Sequence, residues 1–180
     1  MKLLFLGSQG SGKSTQAKLL AGKLDLPYIE MGQLFRDKSK SQSQGGADIK
    51  RALDVGNLVP DHLATKTLHE RLLQPDCKRG YVLDGYPRNY AQLEGLDQDI
   101  DRVFYIKVSD QEAIRRLLAR ARTDDNLKVL TRRLEIYHKE TEPLLGYFRE
   151  RGILEEIDGE RPVEMIAKEI SQKIANENYR

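Results

Sequence analysis

Short apolar runs of strand length alternate along the chain with longer segments in which apolar residues recur at helical spacing. The apolar runs lie at 2–6, 26–29, 81–83, 103–106 and 153–157. The helical patterns begin with the leucines that follow Lys13 and continue at about 31–43, 47–54, 61–73, 110–121, 124–150 and 162–176. Continuous apolar runs are typical of strands buried on both faces. The alternation predicts a doubly wound α/β domain, a five-stranded parallel sheet with helices on both faces.

Two segments interrupt this regular pattern. The stretch from Lys38 to Gly46 is the most polar of the chain, and we interpret it as a mobile flap, although a solvated surface loop explains its composition equally well. Pro143 lies inside the long helical pattern 124–150. Proline has no backbone N–H to donate, so this helix is expected to kink or restart there.

The residues that follow the first apolar run match a phosphate-binding loop. Residues 7–15 read Gly-Ser-Gln-Gly-Ser-Gly-Lys-Ser-Thr, the pattern G-x-x-x-x-G-K-[ST]. Glycines at both ends let the chain turn sharply and bring its N–H groups close to a phosphate, and Gly10 adds backbone freedom. Lys13 would reach the β- and γ-phosphates and Ser14 would hold magnesium, at the positive end of the following helix. An accidental glycine-rich turn is the alternative, which the preceding strand and following helix disfavour.

Asp84 ends the apolar run 81–83. In open α/β sheets ligands bind at the carboxyl ends of the strands, so Asp84 is predicted to orient the magnesium shell; a helix cap is the other interpretation. Arg88 follows Pro87, whose fixed φ stiffens the turn, and the guanidinium is predicted to contact a second anionic group.

A second group of arginines lies further along the chain. Its members are Arg115, Arg116, Arg120, Arg122, Arg132 and Arg133. Arg116 and Arg120 would share one helix face. Most charge runs are solvated helix faces, but phosphoryl transfer requires positive charge around the migrating group, so these arginines are candidates for that role.

The length and composition of the chain limit the partners and compartments that are expected for it. A chain of 180 residues fits one compact domain, and 30 basic against 28 acidic side chains are too balanced to indicate nucleic-acid binding. The single Cys77 excludes an intramolecular disulfide framework and a Cys-rich zinc site, and favours a reducing compartment. No apolar stretch approaches the length of a membrane span. We expect a cytoplasmic monomer with no structural zinc and no nucleic-acid or membrane partner.

Three signatures together resemble the adenylate kinases and their nucleoside monophosphate kinase relatives, almost end to end. They are Gly7 to Thr15 with Gln16-Ala17, the sequence Asp84-Gly85-Tyr86-Pro87-Arg88, and Arg122-Thr123-Asp124-Asp125 with Arg133. The resemblance implies a P-loop core at 1–30 and 60–180, an inserted monophosphate-binding segment at 31–59, and a vestigial lid at 121–125. It also implies reversible transfer of the γ-phosphoryl group of Mg-ATP to AMP, which gives two ADP.

The resemblance assigns residues to each substrate. It implies ATP binding by Gly10, Ser11, Gly12, Lys13, Ser14, Thr15, Arg116, Arg120 and Arg161. It implies AMP binding by Met31, Arg36, Asn57, Leu58, Val59, Gly85, Tyr86, Arg88, Gln92, Arg122 and Arg133, with Gln92 reading the adenine edge. The catalytic cations would be Lys13, Arg88, Arg120, Arg122 and Arg133. Ser14 and Asp84 would hold magnesium through water.

The chain departs from the family pattern at two places. Met31 and Gln33 stand where the family usually has Thr and Asp, which removes a carboxylate and a hydroxyl from the expected monophosphate site. Only Ala121 separates Arg120 from Arg122, so the expected lid is shorter than in short-lid relatives.

Two alternative functions remain open. One is a UMP/CMP kinase, although those enzymes typically have Asn at the position of Gln92, which favours AMP. The other is an ATP-binding regulatory module without monophosphate kinase activity. In any kinase of this kind the acceptor phosphate is largely ionised near neutral pH, so no catalytic base is needed and the three histidines are expected to have no chemical role.

Overall fold

The computed structural model describes residues 1–120 and 127–175, with the side chain of Arg120 outside the described part. Five strands form one sheet: β1 Lys2–Leu6, β2 Tyr28–Glu30, β3 Tyr81–Asp84, β4 Arg102–Lys107 and β5 Leu154–Asp158. Their order is β2-β3-β1-β4-β5, and every neighbouring pair is parallel. The predicted five-stranded parallel sheet is confirmed, and each strand lies within two residues of its predicted bounds.

Helices connect the strands. They are α1 Lys13–Leu24, α2 Met31–Lys38, α3 Gln44–Val55, α4 Asp61–Leu72, α5 Asp110–Arg120, α6 Leu127–Ile136, α7 Leu144–Glu150 and α8 Val163–Ala175. The polar stretch 38–46 contains the end of α2 and the start of α3, because Ser43 Oγ accepts a hydrogen bond from Gly46 N (3.1 Å) and caps α3. Its predicted mobility stays a prediction.

The sheet is buried on both faces because side chains alternate along each strand. On β1, Leu3 and Phe5 belong to one apolar cluster, which includes residues of α1 and α8. Leu4 and Leu6 belong to the other, which includes residues of α4 and α7. The helices therefore form a layer on each face of the sheet.

The long helical pattern 124–150 is broken, as Pro143 predicts. Helix α6 ends at Ile136, a π-helical turn covers Tyr137–Thr141, and α7 begins at Leu144. The N–H of Glu142 donates to the carbonyl of Tyr137 (2.8 Å), a bond that spans five residues. Tyr137 and Thr141, both in the π-helical turn, line the cleft that is described below.

No helix in the described ranges is both long and apolar enough to cross a bilayer.

Candidate functional site

A cleft opens at the carboxyl ends of β1, β2 and β3 and encloses about 390 Å³. Small-molecule sites typically measure about 300–1,000 Å³, so the cleft can hold a nucleotide-sized ligand. Fifteen of the residues predicted for the site line it: Gly10, Gly12, Lys13, Ser14, Thr15, Arg36, Asn57, Leu58, Val59, Asp84, Gly85, Arg88, Gln92, Arg116 and Arg133. The fold thus brings predicted ATP-binding and AMP-binding residues to one cleft.

The glycine loop occupies the turn between β1 and α1. Gly10 and Gly12 have φ of 84° and 90°, a left-handed conformation that favours glycine. A Cβ on Gly10 would also overlap the backbone of Ala113 in α5. The loop therefore packs closely against α5. The first turn of α1 follows it, with its backbone N–H groups directed at the cleft.

Lys13 is the first residue of α1 and is only 6% exposed. Its Nζ donates to the carbonyl oxygen of Ser8 (3.2 Å), so the side chain folds back over the glycine loop. The ammonium and the helix N-terminus add positive potential at the same point of the cleft.

Asp84 lies at the carboxyl end of β3, beside the loop. One carboxylate oxygen, Oδ2, accepts hydrogen bonds from Ser14 Oγ (2.5 Å) and from the hydroxyl of Tyr28 (3.2 Å). Its Oδ1 is buried and has no hydrogen-bond partner among the described residues. Burial, reinforced by the negative charges of Asp84 and Glu30, raises the pKa of Tyr28.

A buried carboxylate oxygen without a donor requires a physical explanation. Magnesium prefers oxygen ligands and often binds through one or two carboxylates and water. Asp84 and Ser14 supply a carboxylate and a hydroxyl at the end of the glycine loop, so these residues fit the predicted ion. No cluster of three or more His, Cys, Asp or Glu side chains suited to a metal occurs within 1–120 and 127–175.

Arg88 lies in the floor of the cleft beyond Asp84. Its Nε donates to the carbonyl of Gly85 (3.0 Å), and its own carbonyl accepts from Thr141 Oγ1 (2.7 Å). Burial lowers the pKa of the guanidinium, Asp84 opposes this effect, and Arg133 adds to it. A partly desolvated cation beside a second arginine is a strong site for a polyanion.

Arg36 reaches the same cleft from α2. Its Nη2 forms an ion pair with Glu30 (2.8 Å), and Nε and Nη2 donate to Gln33 Oε1 at 3.1 and 2.9 Å. Glu30 pairs with Asp84 in the β2–β3 register. Arg36 is thus already oriented at the cleft wall, with a carboxylate as its present partner.

Gln92 is 2% exposed and borders the cleft from the turn after β3. Its Oε1 accepts from the backbone N–H of Arg88 (2.8 Å), and its Nε2 donates to Asp61 Oδ1 (2.8 Å). The amide is therefore fixed at both ends.

Arg116 connects the loop to the turn after β5. Its guanidinium donates to the carbonyls of Ser11 (3.2 Å) and Gly159 (2.9 Å) and to Glu112 (2.5 Å). Hydrogen bonds from Arg115 and Arg116 lower the pKa of Glu112 to about 2, so the carboxylate that holds Arg116 is ionised near neutral pH. Because Arg116 binds the carbonyls of both Ser11 and Gly159, the 159–162 turn lies next to the glycine loop.

Four other predicted site residues in the described part of the chain do not line the cleft. Met31 and Tyr86 are fully buried in the core, and Ser11 is 1% exposed within the loop. Arg161 pairs with Glu169 and Asp158 and does not line the cleft. Arg122 and the vestigial lid 121–125 are outside the described residues, as is the Arg120 side chain, so their roles stay predictions.

Comparison with known proteins identifies the family. A family model described as "Adenylate kinase" matches residues 5–153. The chain is 37% identical to the adenylate kinase of Thermobifida fusca (strain YX), covering 93% of this chain and 95% of that protein. It is 40% identical to adenylate kinase 1 of Synechocystis sp., covering 96% of each. The chain belongs to the adenylate kinase family. Its P-loop fold, inferred from the three signatures, is confirmed with it.

Of the departures from the adenylate kinase pattern, Met31 and Gln33 lie within the described residues, and their structural consequences differ. The Gln33 amide donates to Asp37 (3.1 Å) and accepts from Arg36. It therefore helps to orient the Arg36 guanidinium, and within the described residues it forms no hydrogen bond with Asp84. The carboxylate beside Asp84 at the end of β2 is instead Glu30. Met31 lies in the core below Gly85, at 3.5 Å from the position that a Cβ would take there.

Sequence reasoning missed several residues of this adenylate kinase family site, among them Glu30, Tyr137 and Thr141, which line the cleft, and Asp61, which holds Gln92. Glu30 directly follows the second apolar run, which could have drawn attention to it as an acid at a strand end. Asp61 looks like an ordinary acidic residue in the first turn of α4. Nothing in the local pattern indicates that Tyr137 and Thr141 line the cleft, because they do so through the π-helical turn.

Proposed function

We propose that the protein transfers the γ-phosphoryl group of Mg-ATP to AMP, reversibly, and forms two ADP. Membership of the adenylate kinase family supports this reaction. The observation that carries the assignment to this site is one continuous cleft with a phosphate-binding loop at one end and Arg36 and Arg88 at the other. Two separate anion sites in one cleft suit a donor and an acceptor phosphate held close together.

The donor half consists of the glycine loop, Lys13 and the N-terminus of α1. Its backbone N–H groups would surround the ATP phosphates and Lys13 would contact the β- and γ-phosphates. Ser14 and Asp84 would hold magnesium, which neutralises phosphate charge when bound. Arg116 and the 159–162 turn would lie beside the ATP base.

The acceptor half consists of Arg36, Arg88 and Gln92. The two guanidinium groups would bind the monophosphate, and the lowered pKa of Arg88 reflects a desolvated environment in which its contacts to phosphate are strong. Gln92 would bind the adenine edge, with the backbone of residues 57–59 and Gly85 around the base and ribose.

The chemical step then requires alignment and charge neutralisation. An ionised phosphate oxygen of AMP attacks the γ-phosphorus, a new O–P bond forms, and the bond from the γ-phosphorus to the bridging oxygen breaks. The electron pair of that bond stays on the β-phosphate of the departing ADP. Lys13 and the cleft arginines offset the charge that accumulates, and the acceptor needs no base because its second pKa is about 6.

A coupled assay for ADP tests this assignment. Mg-ATP is supplied with AMP, CMP, UMP, GMP or dTMP in separate reactions, with wild type, Arg88→Ala and Arg149→Ala. Arg149 is an exposed arginine of α7 paired with Glu156, so it controls for loss of an arginine in general. We expect transfer to AMP, a loss of roughly a hundredfold or more in Arg88→Ala, and wild-type activity in Arg149→Ala.

Each other outcome identifies an alternative. Transfer to CMP or UMP in preference to AMP would indicate a UMP/CMP kinase. Binding of ATP without transfer to any monophosphate would indicate the regulatory module.

We further propose a cytoplasmic monomer. The single cysteine, which is buried, supports a reducing compartment. Light scattering after size exclusion, with and without nucleotides, measures the oligomeric state, and a dimer mass would contradict it.

A further inference from the structure

Gln92 and Asp61 form a hydrogen-bonded pair at the acceptor end of the cleft. Gln92 Nε2 donates to Asp61 Oδ1 (2.8 Å), while Gln92 Oε1 accepts from the backbone N–H of Arg88 (2.8 Å). Asn89 links the same two residues, because its Nδ2 donates to Asp61 Oδ1 (2.9 Å) and its Oδ1 accepts from the backbone N–H of Gln92 (3.0 Å). The side chain of Gln92 is buried within this network.

The partners permit only one orientation of the Gln92 amide. A backbone N–H can only donate, so it must face the amide oxygen, and an ionised carboxylate can only accept, so it must face the amide nitrogen. Rotation of the amide by 180° would place NH₂ against the Arg88 N–H and oxygen against Asp61. Both hydrogen bonds would then be lost, since a donor would face a donor at Arg88 and an acceptor would face an acceptor at Asp61.

This orientation determines what the amide offers to a ligand. An amide has two N–H groups and an oxygen with two lone pairs. One N–H is used by Asp61 and one lone pair by Arg88, which leaves one donor on Nε2 and one acceptor on Oε1. The adenine edge presents a complementary pair, an amino group that donates and a ring N1 that accepts. A 6-oxopurine presents the reverse, a carbonyl that accepts and an N1–H that donates.

We propose that Asp61 is a positioning residue that sets base specificity by holding the Gln92 amide in the orientation that accepts adenine and rejects 6-oxopurines. The inference rests on the proposed function, because it assumes that the acceptor base contacts Gln92. Asp61 itself touches no reacting atom.

A helix-stabilising role for Asp61 is the competing explanation, since it begins α4 and an acid there favours the helix. Such a role affects all acceptors equally. The specificity ratio between two acceptors separates the two explanations.

The test compares AMP with inosine monophosphate (IMP), which differs from AMP only at the base edge in question. The kcat/KM and the dissociation constant are measured for both nucleotides with wild type, Asp61→Ala and Asp61→Asn. We expect wild type to prefer AMP and Asp61→Ala to lower the AMP/IMP ratio by at least about tenfold, mainly through weaker AMP binding. Asp61→Asn retains an oxygen that accepts from Nε2, and we expect it to keep most of the ratio.

Two further variants complete the design. Asn89→Ala removes the hydrogen bond to Asp61 and the one from Gln92 N but leaves the side-chain contact between Gln92 and Asp61, and it is expected to keep most of the ratio. If Asp61→Ala does not fold, as judged by its melting curve, Asp61→Ser replaces it, because serine keeps a polar side chain at the first position of α4 while its shorter length withdraws the acceptor from Gln92.

Several outcomes would overturn the inference. An unchanged AMP/IMP ratio in Asp61→Ala, whatever its activity, would show a purely structural role. Equal loss of the ratio in Asp61→Asn would show that hydrogen-bond acceptance is not what matters. Equal use of IMP and AMP by wild type would show that the amide orientation does not discriminate, with the kinase activity intact. Absence of transfer to AMP by wild type would instead refute the proposed function, and this inference with it.

Discussion

At the scale of single residues, the carboxylate of Glu30 affects how Arg36 can bind a phosphate. The guanidinium is held by Glu30 (2.8 Å) and by Gln33, although its proposed ligand is the phosphate of AMP. A bound phosphate would have to share or displace the carboxylate. Glu30 therefore orients Arg36 but also opposes the approach of an anion.

Replacement of Glu30 by Gln is expected to tighten AMP binding. The amide can still accept a hydrogen bond from Arg36 but no longer repels phosphate. Partly exposed ion pairs contribute about 0–1 kcal/mol, so we expect the KM for AMP to fall by up to roughly fivefold. Steady-state kinetics with varied AMP at saturating Mg-ATP measures the change.

Glu70→Gln is the matched control, since Glu70 forms an exposed ion pair with Lys38 (2.6 Å) away from the cleft lining. It should leave the KM for AMP unchanged. A rise in KM in Glu30→Gln would mean that orientation of Arg36 outweighs repulsion.

At the scale of elements, the glycine loop depends on its contact with α5. Gly10 combines a φ of 84° with a backbone neighbour, Ala113, at the place where a Cβ would lie. The loop can keep its shape only if α5 stays in place beneath it. A larger residue at position 10 would therefore displace the loop or α5.

Gly10→Ala is expected to destabilise the protein and weaken ATP binding. The left-handed conformation and the overlap with α5 together cost about 1–3 kcal/mol. Gly22→Ala in α1 is the control, because no atom beyond its chain neighbours and the backbone of α1 lies within 4 Å of a Cβ there; it should be neutral or stabilising by about 0.5–1 kcal/mol. Urea unfolding and ATP titration measure both effects, and equal stability of the two variants would contradict the argument.

His138 links α5 to the π-helical turn. Its ring contacts Glu142 (2.7 Å) and Asp110 (3.0 Å). The hydrogen bond with Glu142 raises the pKa of His138, partial burial opposes the shift, and Asp110 reinforces it. The protonated ring thus joins two elements on the α5 side of the cleft.

A raised pKa in the folded state means that protonated His138 stabilises the fold. The contribution is complete below the unfolded pKa of about 6.5 and is lost as the pH rises through the higher folded value. Because the ring is 43% exposed, we expect less than about 1 kcal/mol.

The free energy of unfolding of wild type and His138→Gln at pH 5.5 and pH 8 measures this contribution. The difference between the two proteins should be larger at pH 5.5. A difference that is equal at both pH values, or larger at pH 8, would show that the charged pair does not stabilise the fold.

At the scale of the whole molecule, the order of the strands assembles the site. Strand β1 lies between β3 and β4, so the loop after β1 lies beside Asp84, and α5 after β4 supports the loop. Ligand sites in open α/β sheets occur where successive connections leave a strand in opposite directions. Ser14 and Asp84, which are 70 positions apart in the chain, meet there.

The separation of Arg120 from Arg122 by one residue predicts a cleft that excludes water poorly over the γ-phosphate. The lid residues lie outside the described part of the chain, so the prediction rests on sequence. We expect appreciable ATP hydrolysis without AMP, because water can then accept the phosphoryl group. Phosphate release without an acceptor measures it, and a rate negligible beside transfer would contradict the prediction.

The sequence by itself determined the features that depend on near neighbours. The strands, the glycine loop, the start of α1 and the break near Pro143 follow from apolar runs, glycine spacing and the missing N–H of proline, and all agree with the structure. The predicted helices 31–43 and 47–54 differ from the structure, in which α2 ends at Lys38 and α3 begins at Gln44, because the cap at Ser43 is not evident in a stretch that is polar throughout.

Only the tertiary structure decided which side chains meet. It gave Arg36 a carboxylate partner in Glu30, placed Met31 and Tyr86 in the core, and turned Arg161 toward α8. It also fixed the Gln92 amide through Asp61, 31 residues earlier in the chain. The physical reason is range: backbone conformation responds to the residues on either side, whereas burial and hydrogen-bond partners depend on how the parallel strands are ordered and which helices cover them.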